Sequence, residues 1–381
     1  MDFSQAEVVE GEILPGNEDI LAELPDSAEY LELTHLRLAT LKGLGIERFT
    51  KVEQINLRQN LLTSLSYVPS TESDLQVISS SATQESQDAQ DEDSHDDDEA
   101  KTKEKEYNVT QVEASESHPD VVWPLSGLQH LEDLDLYDNR LKSVKGLENL
   151  PSIKSLDLSF NLLRNVDPFD EDSPDSPYAY PKLDHLYLIQ NKLNKIQGVK
   201  HRTSLVYLEF GGNRIRTIEN LPISPNLTSL YLGKNKITKL ENLEGLTGLK
   251  TLSLQSNRLT KLEGLETLVA LEELYLSHNG LSEISGLENN TKLTTLDIAN
   301  NKLTVINTKA ISHLVALEEF WANNNQITEL PILSPTFHPD LATIYLEGNP
   351  IEKTLGGNYR RKIMIEHPQV TQIDAVFVQQ S

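Results

Sequence analysis

Cysteine is missing altogether from these 381 residues, so no disulfide can close either end of the fold. Nor is there a run of about 18 apolar residues, which excludes a membrane-spanning helix. The opening MDFSQAEVVEGEILPG lacks the basic, apolar and small-residue series of a secretory leader. Bases are scarce, 33 against 59 acids, for a net charge of −26. Nucleic acid would be repelled by that balance, whereas a protein bearing positive patches would not. The expectation is a protein of the cytoplasm or the nucleus that engages no membrane and no nucleic acid.

What the chain has is self-similarity. The pattern L-x-L-x-x-N-x-L recurs as LDLYDNRL, LDLSFNLL, LYLIQNKL, LEFGGNRI, LYLGKNKI, LSLQSNRL, LYLSHNGL and LDIANNKL. Its asparagines are Asn139, Asn161, Asn191, Asn213, Asn235, Asn257, Asn279 and Asn301, and six of the seven intervals are 22 residues. The same frame takes in Asn60 upstream and Asn325 and Asn349 downstream, and LELTHLRL fits with Leu36 in the Asn slot. Twelve coils result. The unit resembles the leucine-rich repeat, which implies an α/β solenoid: a right-handed superhelix with a concave parallel sheet and a short 3₁₀ or irregular convex side.

Each part of the unit has a physical task. The L-x-L alternation is a strand of period 2, its leucines inward and the residue between them outward. The Asn stands where the chain leaves the strand, and its amide can both donate to and accept from backbone groups that the turn leaves unpaired. Twenty-two residues leave room only for a tight 3₁₀ return. No coil can bury its own apolar face, so both ends of the stack need covers.

Those requirements divide the chain. Residues 1–17 read as a disordered acidic N-terminus. Residues 18–68 hold the first two coils and a cap, with NEDILAELPDSAEY as a short capping helix. Residues 69–118, including DAQDEDSHDDDEAKTKEKE, read as a disordered acidic insertion. Ten coils fill 119–357, with a Pro-rich surface loop at about 167–181. Residues 358–381 form the C-terminal cap, where Tyr359 and Arg360 start a helical turn and Ile363, Met364, Val370 and Ile373 cover the last coil.

Catalytic signatures are weak. His95 lies among carboxylates without a second His spaced to share a metal, and Ser94 beside it resembles an acidophilic kinase site. LGKNKIT lacks the spacing of a phosphate loop, and Gly233 and Lys234 simply fill the two variable slots before Asn235. No catalytic residue, metal or cofactor is expected.

The outward residue of L-x-L carries more information. In-phase stacking makes one column of Asp135, Asp157, Tyr187, Glu209, Tyr231, Ser253, Tyr275, Asp297, Trp321 and Tyr345, roughly 43 Å long at about 4.8 Å per strand. Tyrosine and tryptophan dominate binding energy at interfaces, and the acids suit a partner rich in Arg or Lys. Glu273 and Glu319 extend this surface in the neighbouring column. A second row follows the asparagines, Arg140, Lys192, Arg214, Lys236, Arg258 and Lys302, and reads first as solvated loop charge, with the acidic insertion as a partner that could screen it.

KNKITKLENLEGL, LYLSHNGL, GLENNTKLTTLDIANNKL, LEEFWANNNQI, YLEGNPI and the terminal YRRKIMIEHPQVTQIDAVFV resemble the leucine-rich-repeat regulatory subunit of protein phosphatase type 1, in a fungal-like form with an acidic insertion. The resemblance runs from about residue 30 onward, apart from the two insertions. It implies a non-catalytic subunit that binds the phosphatase 1 catalytic subunit through the concave face and controls its activity, assembly or localisation. The implied contacts are Asp157, Tyr187, Glu209, Tyr231, Asp297, Glu319, Trp321 and Tyr345, to which the column adds Tyr275. The family carries Phe where Tyr187 and Tyr231 stand. A ternary complex with a second phosphatase inhibitor is also implied. The rival is a 22-residue-repeat scaffold of axonemal, motor-associated or ribonucleoprotein type, which lacks the EFW segment combined with this cap.

Overall fold

Three residues per coil form the only regular structure that most of this chain needs. The computed structural model describes residues 17–68, 121–170 and 176–378. Twelve strands follow one another in parallel: β1 Tyr30–Glu32, β2 Gln54–Asn56, β3 Asp133–Asp135, β4 Ser155–Asp157, β5 His185–Tyr187, β6 Tyr207–Glu209, β7 Ser229–Tyr231, β8 Thr251–Ser253, β9 Glu273–Tyr275, β10 Thr295–Asp297, β11 Glu319–Trp321 and β12 Thr343–Tyr345. Each pairs only with its neighbours in sequence order. In every strand the middle residue is buried, and the flanking two lie on the opposite, open face. The solenoid expected from the repeat is the fold that forms.

The asparagines bind coil to coil. Asn213 Oδ1 accepts from the Leu193 N–H at 3.0 Å, while its Nδ2 donates to the carbonyls of Leu188 at 2.8 Å and Phe210 at 3.0 Å. The same exchange with the preceding coil is made by Asn60, Asn139, Asn161, Asn191, Asn235, Asn257, Asn279, Asn301, Asn325 and Asn349. One side chain thus satisfies both a donor and an acceptor that burial would otherwise orphan. The residue before each of these asparagines is left-handed, including Gln59, Lys234 and His278 with φ of 54°, 52° and 57°. Except at Gly348, whose N–H donates to Glu352 Oε2 at 2.7 Å, its N–H reaches the next coil, as from Lys234 to the Gln255 carbonyl at 2.7 Å. The slot that Lys234 fills is variable in chemistry and restricted in backbone.

The convex returns are chained turns, such as Leu246 N–H to Leu243 O and Leu249 N–H to Leu246 O, both 3.0 Å. Where the interval lengthens to 24 residues, between Asn301 and Asn325, a single helical turn fits: α1, Thr308–Ile311, capped by the Asn307 side chain.

The ends differ in part from expectation. At the N-terminus the expected capping helix is one 3₁₀ turn, Asn17–Asp19, followed by irregular turns. Pro25 bars a continuous helix, and Leu21 alone of the segment's larger apolar side chains is buried, Ile20 and Leu24 being exposed. Asn17 belongs to this cap rather than to the acidic tail, since its Nδ2 donates to the Thr40 and Lys42 carbonyls at 3.0 and 2.9 Å. Residues 1–16 lie outside the described residues.

At the C-terminus, α2 (Pro350–Leu355) and α3 (Tyr359–Glu366) precede β13 (Gln372–Ile373), which extends the parallel sheet, and β14 (Val376–Phe377), which turns back antiparallel. Tyr359, Ile363, Val370 and Ile373 are buried, but Met364 is exposed. Met364 follows Ile363 directly and so points about 100° around the helix from the covering face.

His338 is also fully buried here, with its Nδ1 against the Leu314 carbonyl at 3.1 Å. Burial pushes its pKa below the usual histidine range. The folded state therefore keeps His338 neutral where the unfolded chain takes up a proton, so stability falls as pH drops through about 6.5, by at most about 1.4 kcal/mol per pH unit. Melting curves at pH 7.5 and 5.5 should show this, and H338Q should flatten the difference; an unchanged difference contradicts the assignment.

The loop expected on the surface at about 167–181 is partly core. Residues 171–175 lie outside the described residues, but Phe169, Tyr178 and Tyr180 on either side are buried and their rings pack 5.4–6.2 Å apart. Arg202, 6% exposed, reaches among them and donates to the carbonyls of Phe169 (2.9 Å), Tyr178 and Ala179. The guanidinium fork serves three acceptors that a lysine cannot reach together. R202K should lower stability by about 1–2 kcal/mol, read as a fall in thermal midpoint.

Of the larger insertion, residues 69–120 lie outside the described residues, which covers the expected 69–118. Its root is described: Tyr67 and Val122 form an antiparallel bridge, exchanging N–H···O bonds of 3.0 and 2.9 Å. Leu65 and Trp123 flank it and crowd Gly146 (φ 96°), where an added Cβ would lie 2.8 Å from each. The coil therefore closes at its own root, and β2 pairs directly with β3.

Candidate functional site

Because the returns differ in length but the ladders do not slip, the outward residues of the strands fall in register. Asp135 is paired with Asp157, then in turn Tyr187, Glu209, Tyr231, Ser253, Tyr275, Asp297, Trp321 and Tyr345. The neighbouring column runs through His185, Tyr207, Ser229, Thr251, Glu273, Thr295 and Glu319.

Two aromatic groups stand on this face. In the first, Tyr207 is central: its ring centroid lies 4.9 Å from Tyr187, 5.2 Å from Tyr231 and 5.8 Å from the nearly parallel His185. The second joins Tyr275, Trp321 and Tyr345, with Trp321 at 6.5 and 5.8 Å from its neighbours. Ser253 lies between the groups. His185 and Tyr207 were missed by reading a single column, although each sits two residues before a column residue and period 2 puts both on one face.

The column expected to be exposed is half-buried, its rings sheltering one another, and Ser253 and Asp297 are buried outright. The indole Nε1 of Trp321 is buried without an acceptor among the described residues. Tyr345 Oη accepts from Gln372 Nε2 at 2.8 Å, which ties the second group to the C-terminal cap.

The acids have local tasks that the sequence pattern did not reveal. Asp135, Asp157 and Asp297 each accept from the backbone N–H two residues on, at 2.9, 2.8 and 3.0 Å, and so brace the turn after the strand. Asp135 also pairs with Arg58 at 3.0 Å. Asp297 is only 2% exposed and takes a further bond from Gln255 Nε2 at 3.1 Å, so its carboxylate is covered. Glu209 accepts from Tyr207 Oη at 2.7 Å, and Glu273 from Thr251 Oγ1 at 3.1 Å. Glu319 lies beside Trp321 at the first position of β11.

Burial raises the carboxyl pKa of Asp157 and Glu209 above the usual range. Burial, then the Glu273 charge, pushes the Tyr275 hydroxyl up to about 12. Carboxylates whose charge burial disfavours would be relieved by an approaching cation. The surface is therefore equipped for an Arg- or Lys-bearing protein face. Among the described residues no three His, Cys, Asp or Glu are grouped to hold a metal ion, and no helix is long and apolar enough to cross a membrane.

The family model for leucine-rich repeats in two copies matches residues 129–171, 225–267 and 269–310. The chain is 34% identical over 156 residues to the protein phosphatase 1 regulatory subunit SDS22 of Saccharomyces cerevisiae, covering 41% of this chain and 30% of that one. It is 34% identical over 98 residues to the protein phosphatase 1 regulatory inhibitor subunit PPP1R7 homolog of Arabidopsis thaliana, 25% of this chain and 28% of that one. Over 40 residues it is 58% identical to protein phosphatase 1 regulatory subunit 7 of Xenopus tropicalis, 10% and 11% of the two chains. The matched stretches thus span less than a third of these relatives. They are the same family that the repeat and cap motifs resemble, and their names are those of regulatory subunits, not of catalytic ones.

Among solved structures, a leucine-rich-repeat protein of Leptospira interrogans superposes with a TM-score of 0.57 at 24% identity, over 86% of this chain and 74% of that one. An internalin of Listeria monocytogenes gives 0.57 at 19% identity, over 96% and 94%. These likenesses speak for the fold.

Proposed function

We propose that this chain, a leucine-rich-repeat solenoid similar to phosphatase regulatory subunits, binds the catalytic subunit of protein phosphatase 1 on the open face of its sheet. The observation that carries the reading is the in-register aromatic and acidic column, from Asp157 to Tyr345, on a chain whose curated relatives are named phosphatase 1 regulatory subunits. Tyr231, Tyr275, Trp321 and Tyr345 supply apolar area at low entropic cost, and Asp157, Glu209 and Glu319 meet basic side chains. Through this grip the chain controls the activity, assembly or localisation of the phosphatase, in nucleus and cytoplasm. A second phosphatase inhibitor joining a ternary complex belongs to the same reading.

Isothermal titration of the purified full chain with the phosphatase 1 catalytic subunit tests the pairing. The expected result is a one-to-one complex that weakens with added salt, because the acids steer and pair. Absence of heat and of co-elution on gel filtration contradicts it.

A further inference from the structure

Arg140, Lys192, Arg214, Lys236, Arg258 and Lys302 each follow a ladder asparagine. Their backbones are pinned in register, each N–H donating to the preceding coil at 2.8–2.9 Å, from Arg140 to Leu62 O through Lys302 to Leu281 O. Seven coil steps separate the first from the last, roughly 34 Å at about 4.8 Å per step. Arg140, Arg214, Arg258 and Lys302 are exposed. Among the described residues none of the six side chains has an ion pair, whereas Arg48, Arg58, Lys154, Lys195, Lys239 and Lys250 each do. A fixed row of unpaired cations is unexpected in a chain whose acids outnumber its bases 59 to 33.

We infer that this ridge is a docking surface for the chain's own acidic segment, residues 88–99. Three observations select that occupant. Residues 69–120 carry 16 acids against three lysines, a net charge of −13 and so half of the chain's −26, and eight of those acids fall within 88–99. The span is rooted beside the ridge: the Tyr67–Val122 bridge lies five residues beyond Leu62, whose carbonyl holds Arg140, and its neighbour Leu65 packs on Gly146 in the coil that bears Arg140. The reach suffices, since Asp88 is 21 residues from Tyr67 and Glu99 is 23 from Val122. A chain of that length extends to about 70 Å, twice the ridge. Cations in one row, broken only at Leu162 and Gly280, that face a run of carboxylates at tethered concentration bind without a shaped pocket, and salt screens them apart.

Zero-length carbodiimide cross-linking of the full chain, read by mass spectrometry, tests this. Carboxylates of 88–99 should couple to Lys192, Lys236 and Lys302 within one molecule, and about 0.5 M salt should suppress those links. The triple variant R140Q/R214Q/R258Q keeps every ridge lysine, yet should reduce the links about five-fold; an unchanged circular-dichroism melt shows that the fold is intact. Links spread equally over Lys154, Lys250 and Lys353 overturn the inference. So do links formed only between labelled and unlabelled molecules, which would assign the ridge to a second copy, or links unchanged in the variant. The assay contains no phosphatase, so its outcome is independent of the sheet face.

Discussion

Replacing Trp321 with Ala is expected to weaken phosphatase binding by about 2–4 kcal/mol, roughly 30- to 1000-fold, the range of an interface hot spot. Trp321 is the hub of the second aromatic group, touching Tyr275 and Tyr345, so its loss removes the largest ring and loosens both neighbours. Its indole N–H has no acceptor among the described residues, and a partner carbonyl or carboxylate would supply one. Trp321→Phe separates the two contributions: it keeps most of the apolar area but no donor, and should fall between wild type and Ala. Titration with the catalytic subunit gives the affinities. If the double change Trp321→Ala and Tyr345→Ala binds as wild type does, the sheet face is not the docking site, whatever the chain's partner.

The second large effect is on stability. Asn213→Ala should cost about 1–3 kcal/mol of unfolding free energy, because it strands the buried Leu193 N–H and removes one of the two amide donors to the Leu188 and Phe210 carbonyls, which keep Asn191 and Asn235 respectively. Asn213→Asp distinguishes hydrogen bonding from volume. Asp is nearly the same size and still accepts from Leu193, but it turns an oxygen toward two carbonyls. It should therefore destabilise at least as much as Ala. Urea unfolding gives both numbers, and a loss under about 1 kcal/mol in each would mean that the coils hold without the amide.

The two experiments address features that were unequally legible in the sequence. The ladder was plain, since a buried amide at a fixed step after paired leucines has few other uses, and the register of Tyr231, Asp297 and Trp321 followed from it. Exposure was not. A period of 2 says which face a side chain takes, but not that Asp297 turns back to its own backbone and to Gln255, or that Tyr187 leans on Tyr207. The loop near 170 misled for a related reason: proline and aspartate dominate its composition, and three aromatic rings with one arginine decide its packing. The N-terminal cap carries helix-favouring residues such as Glu23 and Leu24, but Pro25 follows them directly and stops a helix from running through the segment.

The left-handed residues before the asparagines have one more implication. Gln59, Asp138, Phe160, Gln190, Lys234, Ser256, His278, Asn300 and Asn324 share one backbone shape although their side chains range from amide and carboxylate to ammonium, hydroxyl, imidazole and phenyl. Geometry there is enforced from outside, by the neighbouring coil, so chemistry is released from the duty of specifying shape. A molecule assembled this way can exchange the lettering along its rim, one coil at a time, while its curvature and spacing stay as they were.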